Sequence, residues 1–384
     1  MELTQGQISE IISNYTSSSE GFVTLQSLIM NSLMAHERDL FVKANKNEQC
    51  NGFRPRRWYC KGYTFVLRIP RSRSGNFYPV LLGIIRSECE ERAALVYQLY
   101  TKGLTTEQIS EVIETVYGRA YSKQQISYLA NSCREDVEAW LNRRLSAHYL
   151  AIYIDATFIA TRRDQQVSKE AYYTILGVLE DGSREVLTIV NYPTEGALCW
   201  KEVLNSLKER GVEQIDLVVS DALQGIENAV CSAFPQAAHQ FCVAHVKRQI
   251  LNSVSHKDKP IVNQELNEVF TLENKERKSL QGYEHFITFV NQWEKKYPVL
   301  RKYKAQRNIA YFTYMDFPVE VQRCIYTTNW IERLNRKYKR TIKMRAAMPS
   351  SQSVLFLLAS VAMEETLTTY RRKVYQWRCW KESK

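Results

Sequence analysis

LAIYID, Leu150 to Asp155, is a short apolar run that ends in a carboxylate. A run of this length reads as a buried strand with an acid at its carboxyl end. IDLVVSD, Ile215 to Asp221, repeats the arrangement. A third acid, Glu332, lies in TTNWIERLNRKYKR (residues 327–340), which reads as the start of a basic helix. Around LAIYID the chain changes to strands: LAIYIDATFIAT, AYYTILGVL and SREVLTIVNY, the last two joined by the turn EDGS. Beyond them GALCWKEVLNSLKERG reads as a helix stopped at Gly211, IDLVVSD as a strand, ALQGIENAVCSAF as a helix and AAHQFCV as a short fifth strand. A meander followed by strand–helix alternation predicts an α/β fold, a mixed sheet with helices on its faces.

The flanking segments have other characters. Residues 1–44 read as amphipathic helix with a Ser-rich break at TSSSEGF. Residues 45–82 interleave aromatics with arginines, and YTFVLRIP alternates at strand spacing, which predicts a small basic β module. Residues 83–147 read as helical. Within them GLTTEQISEVI and YSKQQISYLA each open on a Thr or Ser able to cap, a helix-turn-helix pattern with residues 122–133 as the candidate recognition helix. A plain three-helix bundle gives the same pattern. The α/β core occupies residues 148–245, a polar and helical stretch without strand signal interrupts it over 246–320, and residues 321–384 carry the Glu332 helix and a closing helix, SVLFLLASVAMEETLTTYRRKVYQW.

Charge points to a polyanion. The 384 residues carry a formal net charge of +11, and it is clustered. Residues 43–75 hold nine Lys/Arg against Glu48 alone, and residues 333–345 hold seven against no acid. The candidate DNA contacts are Arg54, Arg56, Arg57, Lys61, Arg68, Arg71 and Arg73 in the β module and Ser122, Lys123, Gln124 and Gln125 at the start of the recognition helix, with Arg336, Lys339 and Lys343 beyond Glu332 as the candidates for holding phosphates. Nine cysteines without a CxxC pair read as free thiols of a reducing compartment. No charged stretch followed by an apolar one opens the chain, and its longest apolar runs are about half of the ~20 residues that a membrane span needs. The expectation is a cytoplasmic protein with no membrane partner.

Singly, each aspartate reads equally well as a turn or cap residue after a strand. Glu332 has its own rival: Asn329 as a helix cap with Glu332 reaching back to it. Together the three acids suit phosphodiester chemistry, because Mg²⁺ takes oxygen ligands and completes its shell with phosphate. Two such ions ~4 Å apart serve an in-line displacement. Neither GxxxxGK[ST] nor GxGxxG occurs, which argues against a nucleotide cofactor. Cys242 and His245 form a CxxH pair with His239 and Cys231 nearby, too few well-spaced donors for a structural zinc site.

YIDATF, VVSDALQGIENAV, FPQAAHQFCVAHVKRQ and TTNWIERLNRKYKRT resemble, in order and spacing, the Mutator-type bacterial transposases of the insertion sequence 256 family. NGFRPRRW, LRIPRSRSGNFYPVLL and the GLTTEQISEVI…YSKQQIS segment resemble that family's N-terminal half. The resemblance implies an RNase H-like core interrupted by a helical insertion. It also implies a DDE triad of Asp155, Asp221 and Glu332, and a C/DxxH motif at Cys242 and His245. It implies binding of double-stranded DNA ends by the N-terminal domains and Mg²⁺-dependent cleavage and strand transfer, with Mn²⁺ as a substitute. Copying-out through a circular intermediate, a homodimer on DNA and association with the bacterial nucleoid complete the expectation. Two other readings stay open: an RNase H-like nuclease that does not join strands, and a transposase-derived DNA-binding regulator without catalysis.

Overall fold

The computed structural model describes residues 5–16, 18–60, 63–117, 121–192, 197–272, 278–377 and 380. The chain divides into two compact units, Met1–Cys133 and Arg134–Lys384, so the helical segment read over 83–147 spans the division.

In the first unit, α1 (Gln5–Thr16) and α2 (Ser19–Ala44) meet at the Ser-rich break. The Ser18 hydroxyl caps α2 by accepting the Gly21 N–H at 3.0 Å. β1 (Cys50–Cys60) and β2 (Tyr63–Ser72) make an antiparallel hairpin. Alternation along β2 buries Phe65 and Leu67 against Met34 of α2 and Leu82. Asn31 of α2 blunts the free edge of β2: its amide donates to the Val66 carbonyl at 3.1 Å and accepts the Arg68 N–H at 2.7 Å. Next come α3 (Val80–Thr101), α4 (Thr106–Tyr117) and α5 (Lys123–Ala130). The three share an apolar cluster of Val96, Ile109, Ile113, Ile126 and Ala130.

The second unit is mixed α/β. It opens with α6 (Arg134–Leu141), and β3 (His148–Tyr149) leads into β4 (Ala151–Arg163), β5 (Gln166–Val178) and β6 (Arg184–Tyr192). α7 (Ala197–Glu209), β7 (Gln214–Ile215), β8 (Leu217–Ser220), α8 (Ile226–Ala233) and β9 (Ala238–Phe241) follow. The main sheet has the order β6-β5-β4-β8-β9, while β3 and β7 form a separate short pair. β6, β5 and β4 are antiparallel neighbours; β4, β8 and β9 run parallel. Parallel strands require covering on both faces, and Ile152, Ile154, Val218 and Val219 are accordingly fully buried.

Of the two readings of this stretch, the longer strand LAIYIDATFIAT holds and the placing of Asp155 at a strand's carboxyl end does not: β4 continues to Arg163, hydrogen-bonded to β5 along its whole length. What ends there is its pairing with β8, whose last register is Ile154 to Ser220. Asp155 and Asp221 are the next residues in line, where the two strands part.

The remaining chain is helical: α9 (Val243–Ser253), α10 (Lys259–Val269), α11 (Ser279–Trp293), α12 (Val319–Ile325), α13 (Asn329–Ile342) and α14 (Ser351–Leu367). Three 3₁₀ segments lie between α11 and α12. The second and third of them cover the outer edge of β9. Gln240, fully buried on β9, donates to the Tyr311 carbonyl at 3.0 Å and accepts the Tyr314 N–H at 2.6 Å. Gly282 of α11 makes room for this packing, since a Cβ there would lie 2.6 Å from the Phe312 ring. Gly282→Val is expected to lower stability by about 1–3 kcal/mol, visible as a lower denaturant midpoint.

The closing helix is shorter than anticipated. α14 stops at Leu367 before the β-branched pair Thr368–Thr369. The chain then turns back over the β5–β6 turn, where the Arg184 N–H reaches the Tyr370 carbonyl at 2.9 Å and Val374 N–H reaches Gly182 at 3.0 Å. No described helix is long and apolar enough to cross a membrane.

Candidate active site

Three elements bring the acids together. Asp155 projects from β4 where β8 leaves it, Asp221 immediately follows β8, and Glu332 lies in the first turn of α13, which packs against β4. Asp155 is buried; Asp221 and Glu332 are half-buried. Burial pushes the Asp155 carboxyl up to about 6, and the charges of Asp221 and Glu332 add to the shift, partly offset by His245. The charges of both other acids thus reach Asp155.

The capping alternative for Glu332 does not hold. α13 is capped at Thr328, not Asn329, and no side chain makes a cap bond there. Glu332 gives its backbone N–H to the Thr328 carbonyl at 3.0 Å, the ordinary bond of a first helical turn.

Two residues that the sequence reading passed over build the site. Asn335, buried on α13, donates its amide to Asp155 Oδ2 at 2.8 Å. One helical turn thereby carries both an acid of the site and the donor that holds another acid of it. Thr328, fully buried, contacts the Cys242 sulfur through its backbone N–H at 3.5 Å and its hydroxyl at 3.4 Å. Cys242 itself caps α9, and its N–H bonds to the Ser220 carbonyl at 2.8 Å. A continuous path therefore runs from the end of β8 through Cys242 to the start of α13. The legible signal for Asn335 was an amide set among Ile331, Leu334 and Tyr338 on the apolar side of the helix.

His245, one turn into α9, hydrogen-bonds Asp221 through Nδ1. Burial alone would depress the imidazole, but hydrogen bonds to Asp221 and Cys242 and their charges overcome it and hold it near 10. The donor atoms of Asp221, Cys242 and His245 all lie within 4.8 Å of one another; Asp155 and Glu332 stand outside that group. His239 and Cys231 do not join. His239, pushed down to about 4 by burial and the charge of Arg307, bonds the Ser220 hydroxyl at 2.8 Å, and Cys231 is exposed on α8. A cavity of about 670 Å³ lined by Lys208, Gln214, Asp216, Phe234, Phe317 and Trp380 lies beside the opposite end of β8 and shares no residue with the acids.

Of the basic candidates, Arg336 and Lys339 are exposed on α13, and Lys343 is exposed at its C-cap. In the first unit Arg54, Arg56, Arg57, Arg68, Arg71 and Arg73 are all exposed on or beside the hairpin, while Lys61 lies outside the described residues. Arg68 stacks on the Phe53 ring at 5.0 Å and Arg73 donates to Gln49 at 2.7 Å. Ser122 and Gln125 form a reciprocal capping box at the start of α5, so their side chains are spent on the helix end. Lys123 pairs with Glu107 at 3.3 Å. Gln124 is exposed, as is Tyr128 at 78 %, a residue the sequence reading did not single out.

The family model for the Mutator family of transposases matches residues 2–370. The transposase for insertion sequence element IS905 of Lactococcus lactis is 32% identical over 344 residues, 87% of this chain and 86% of that protein. The transposase for insertion sequence element IS256 in transposon Tn4001 of Staphylococcus aureus is 26% identical over 348 residues, 88% of this chain and 87% of that one. Among solved structures, a chain of the Drosophila P element transposase strand transfer complex aligns with a TM-score of 0.30 at 9% identity, covering 77% of this chain and 84% of that one, a likeness too slight to carry an argument. The chain belongs to the Mutator family of transposases.

Proposed function

We propose that the protein is a DDE transposase with an RNase H-like core. It would bind the terminal inverted repeats of its insertion sequence, hydrolyse a phosphodiester at the element end to expose a 3′-hydroxyl, and use that hydroxyl to attack a second strand. The observation that carries this reading is the convergence of Asp155, Asp221 and Glu332 where β4 and β8 part, with the charges of the other two acids acting on Asp155. Family membership supports the same chemistry. The meander followed by two parallel strands supports the core assignment.

The donor set fits an oxygen-seeking cation: Asp155 is raised first by burial and then by the charges of Asp221 and Glu332, a repulsion that a divalent ion among the three would relieve. Asp155, Asp221 and Glu332 would hold Mg²⁺, two ions with Mn²⁺ as a substitute, which supplies positive charge against the phosphate oxygens. Asn335 fixes the Asp155 carboxylate, so that its orientation is set before substrate arrives. Arg336, Lys339 and Lys343 bind phosphates next to the acids. In the first unit, the hairpin arginines track the backbone and α5 reads the repeat through Gln124 and Tyr128. Because two ends must be processed, the working form is a homodimer on double-stranded DNA. The expected route is copying-out through a circular intermediate.

A labelled fragment carrying the DNA that flanks the gene tests the reading. Nicking at a discrete end in Mg²⁺ and none with chelator is expected; protection without any nicking would leave a DNA-binding regulator. A separate measurement tests the hairpin. Arg56→Ala, Arg57→Ala and Arg68→Ala combined should weaken binding across all sequences and reduce the slope of log affinity against log salt by about 0.9 per lost phosphate contact. An unchanged slope would remove the hairpin from the DNA interface.

A further inference from the structure

Mg²⁺ takes oxygen ligands and has no use for a thiol, yet the fold draws Cys242, together with His245, to one of the acids. Their donor atoms and that of Asp221 all lie within 4.8 Å of one another. Three elements fix this spacing. Asp221 follows β8, Cys242 is tied to the end of β8 by its N–H to the Ser220 carbonyl at 2.8 Å, and His245 stands one turn into the helix that Cys242 caps. The sulfur is fully buried and receives the Thr328 backbone N–H at 3.5 Å, with the Thr328 hydroxyl at 3.4 Å. Polar partners of this kind steady a thiolate and orient it as a ligand.

We propose that Asp221, Cys242 and His245 form a binding site for a soft divalent transition-metal ion of the zinc class, separate in chemistry from the all-oxygen site and sharing Asp221 with it. One oxygen, one sulfur and one nitrogen make a three-ligand set with a fourth position open, a pattern zinc accepts. Sulfur selects such an ion over Mg²⁺, which takes oxygen. On binding, the thiol and imidazolium protons leave to solvent. Since one carboxylate serves both sets, an ion in the soft site takes Asp221 from the Mg²⁺ set, and zinc should stop strand cleavage at saturating Mg²⁺. That consequence rests on the proposed transposase chemistry; the ligand set itself does not.

Cobalt(II) titrated into the full-length protein without Mg²⁺ reads the site directly. Expected are tetrahedral visible bands together with a thiolate-to-cobalt charge-transfer band, displaced by Zn²⁺. Cys242→Ser should abolish the charge-transfer band, and His245→Gln should weaken cobalt binding by more than about tenfold. Asp155→Asn and Glu332→Gln should leave the charge-transfer band in place. His245→Gln keeps the question decidable if Cys242→Ser fails to fold. An octahedral spectrum without a charge-transfer band, or a band that persists in Cys242→Ser, would overturn the proposal. Intact cobalt bands without any Mg²⁺-dependent nicking would leave the soft site standing and remove the transposase chemistry; nicking without cobalt bands would do the reverse.

Discussion

Asp155→Asn is expected to abolish strand cleavage and strand transfer, by roughly 10³-fold or more, while DNA binding stays within a few-fold of the wild type. The expected size follows from groups that act as a unit, where loss of one member costs nearly as much as loss of all. Asp155 is the most exacting of the three acids. It is buried, it feels the charges of both other acids, and one of its oxygens is already taken by Asn335. Asparagine keeps the shape and one acceptor oxygen but removes the negative charge that a divalent ion needs. The fold should survive, because relieving a buried like-charge contact favours the folded chain. Cleavage rates on an end-containing duplex, beside gel-shift affinities, check both halves. Wild-type cleavage by Asp155→Asn would exclude this acid from the chemistry.

The second large effect is expected at Asn335. Asn335→Leu removes the donor from Asp155 Oδ2 in a buried setting, at a cost of about 1–3 kcal/mol, or roughly 5- to 150-fold. That loss should fall on the metal requirement: the Mg²⁺ concentration for half-maximal cleavage rises, and excess Mg²⁺ restores part of the rate. Asn335→Asp should do worse, since a carboxylate facing a buried carboxylate adds repulsion to the lost donor. A purely structural role would lower the melting temperature without moving the Mg²⁺ dependence. Metal-dependence curves for both variants distinguish the two.

Much of the site was readable because its parts are local. An apolar run closed by an acid announces a strand entering a core, and LAIYID and IDLVVSD both do so in the structure. Glu332 stood at the head of a helix whose apolar residues Ile331, Leu334 and Tyr338 are buried as the spacing required, with Trp330, read on the same side, only half-buried. The rest depends on partners far along the chain. That the pairing of β4 with β8 stops at Ile154 while β4 itself runs on beside β5 is decided by those partners, not by anything in LAIYID. Asn335 reaches a carboxylate 180 residues away, and Thr328 meets a sulfur 86 residues away; neither contact leaves a periodic trace. Ser122 and Gln125 are instructive in the other direction. Ser122 was read both as a cap and as a DNA contact, and Gln125 as a contact, and the capping box uses both side chains.

The most direct test of the transposase reading is strand joining. A pre-cleaved element end with a free 3′-hydroxyl is incubated with the protein, supercoiled plasmid and Mg²⁺, and the products are scored for covalent linkage. The account predicts joined products with the wild type, none with chelator, and none with Glu332→Gln. Discrete, Mg²⁺-dependent cutting of uncleaved ends with no joining in this assay would contradict it and leave a nuclease.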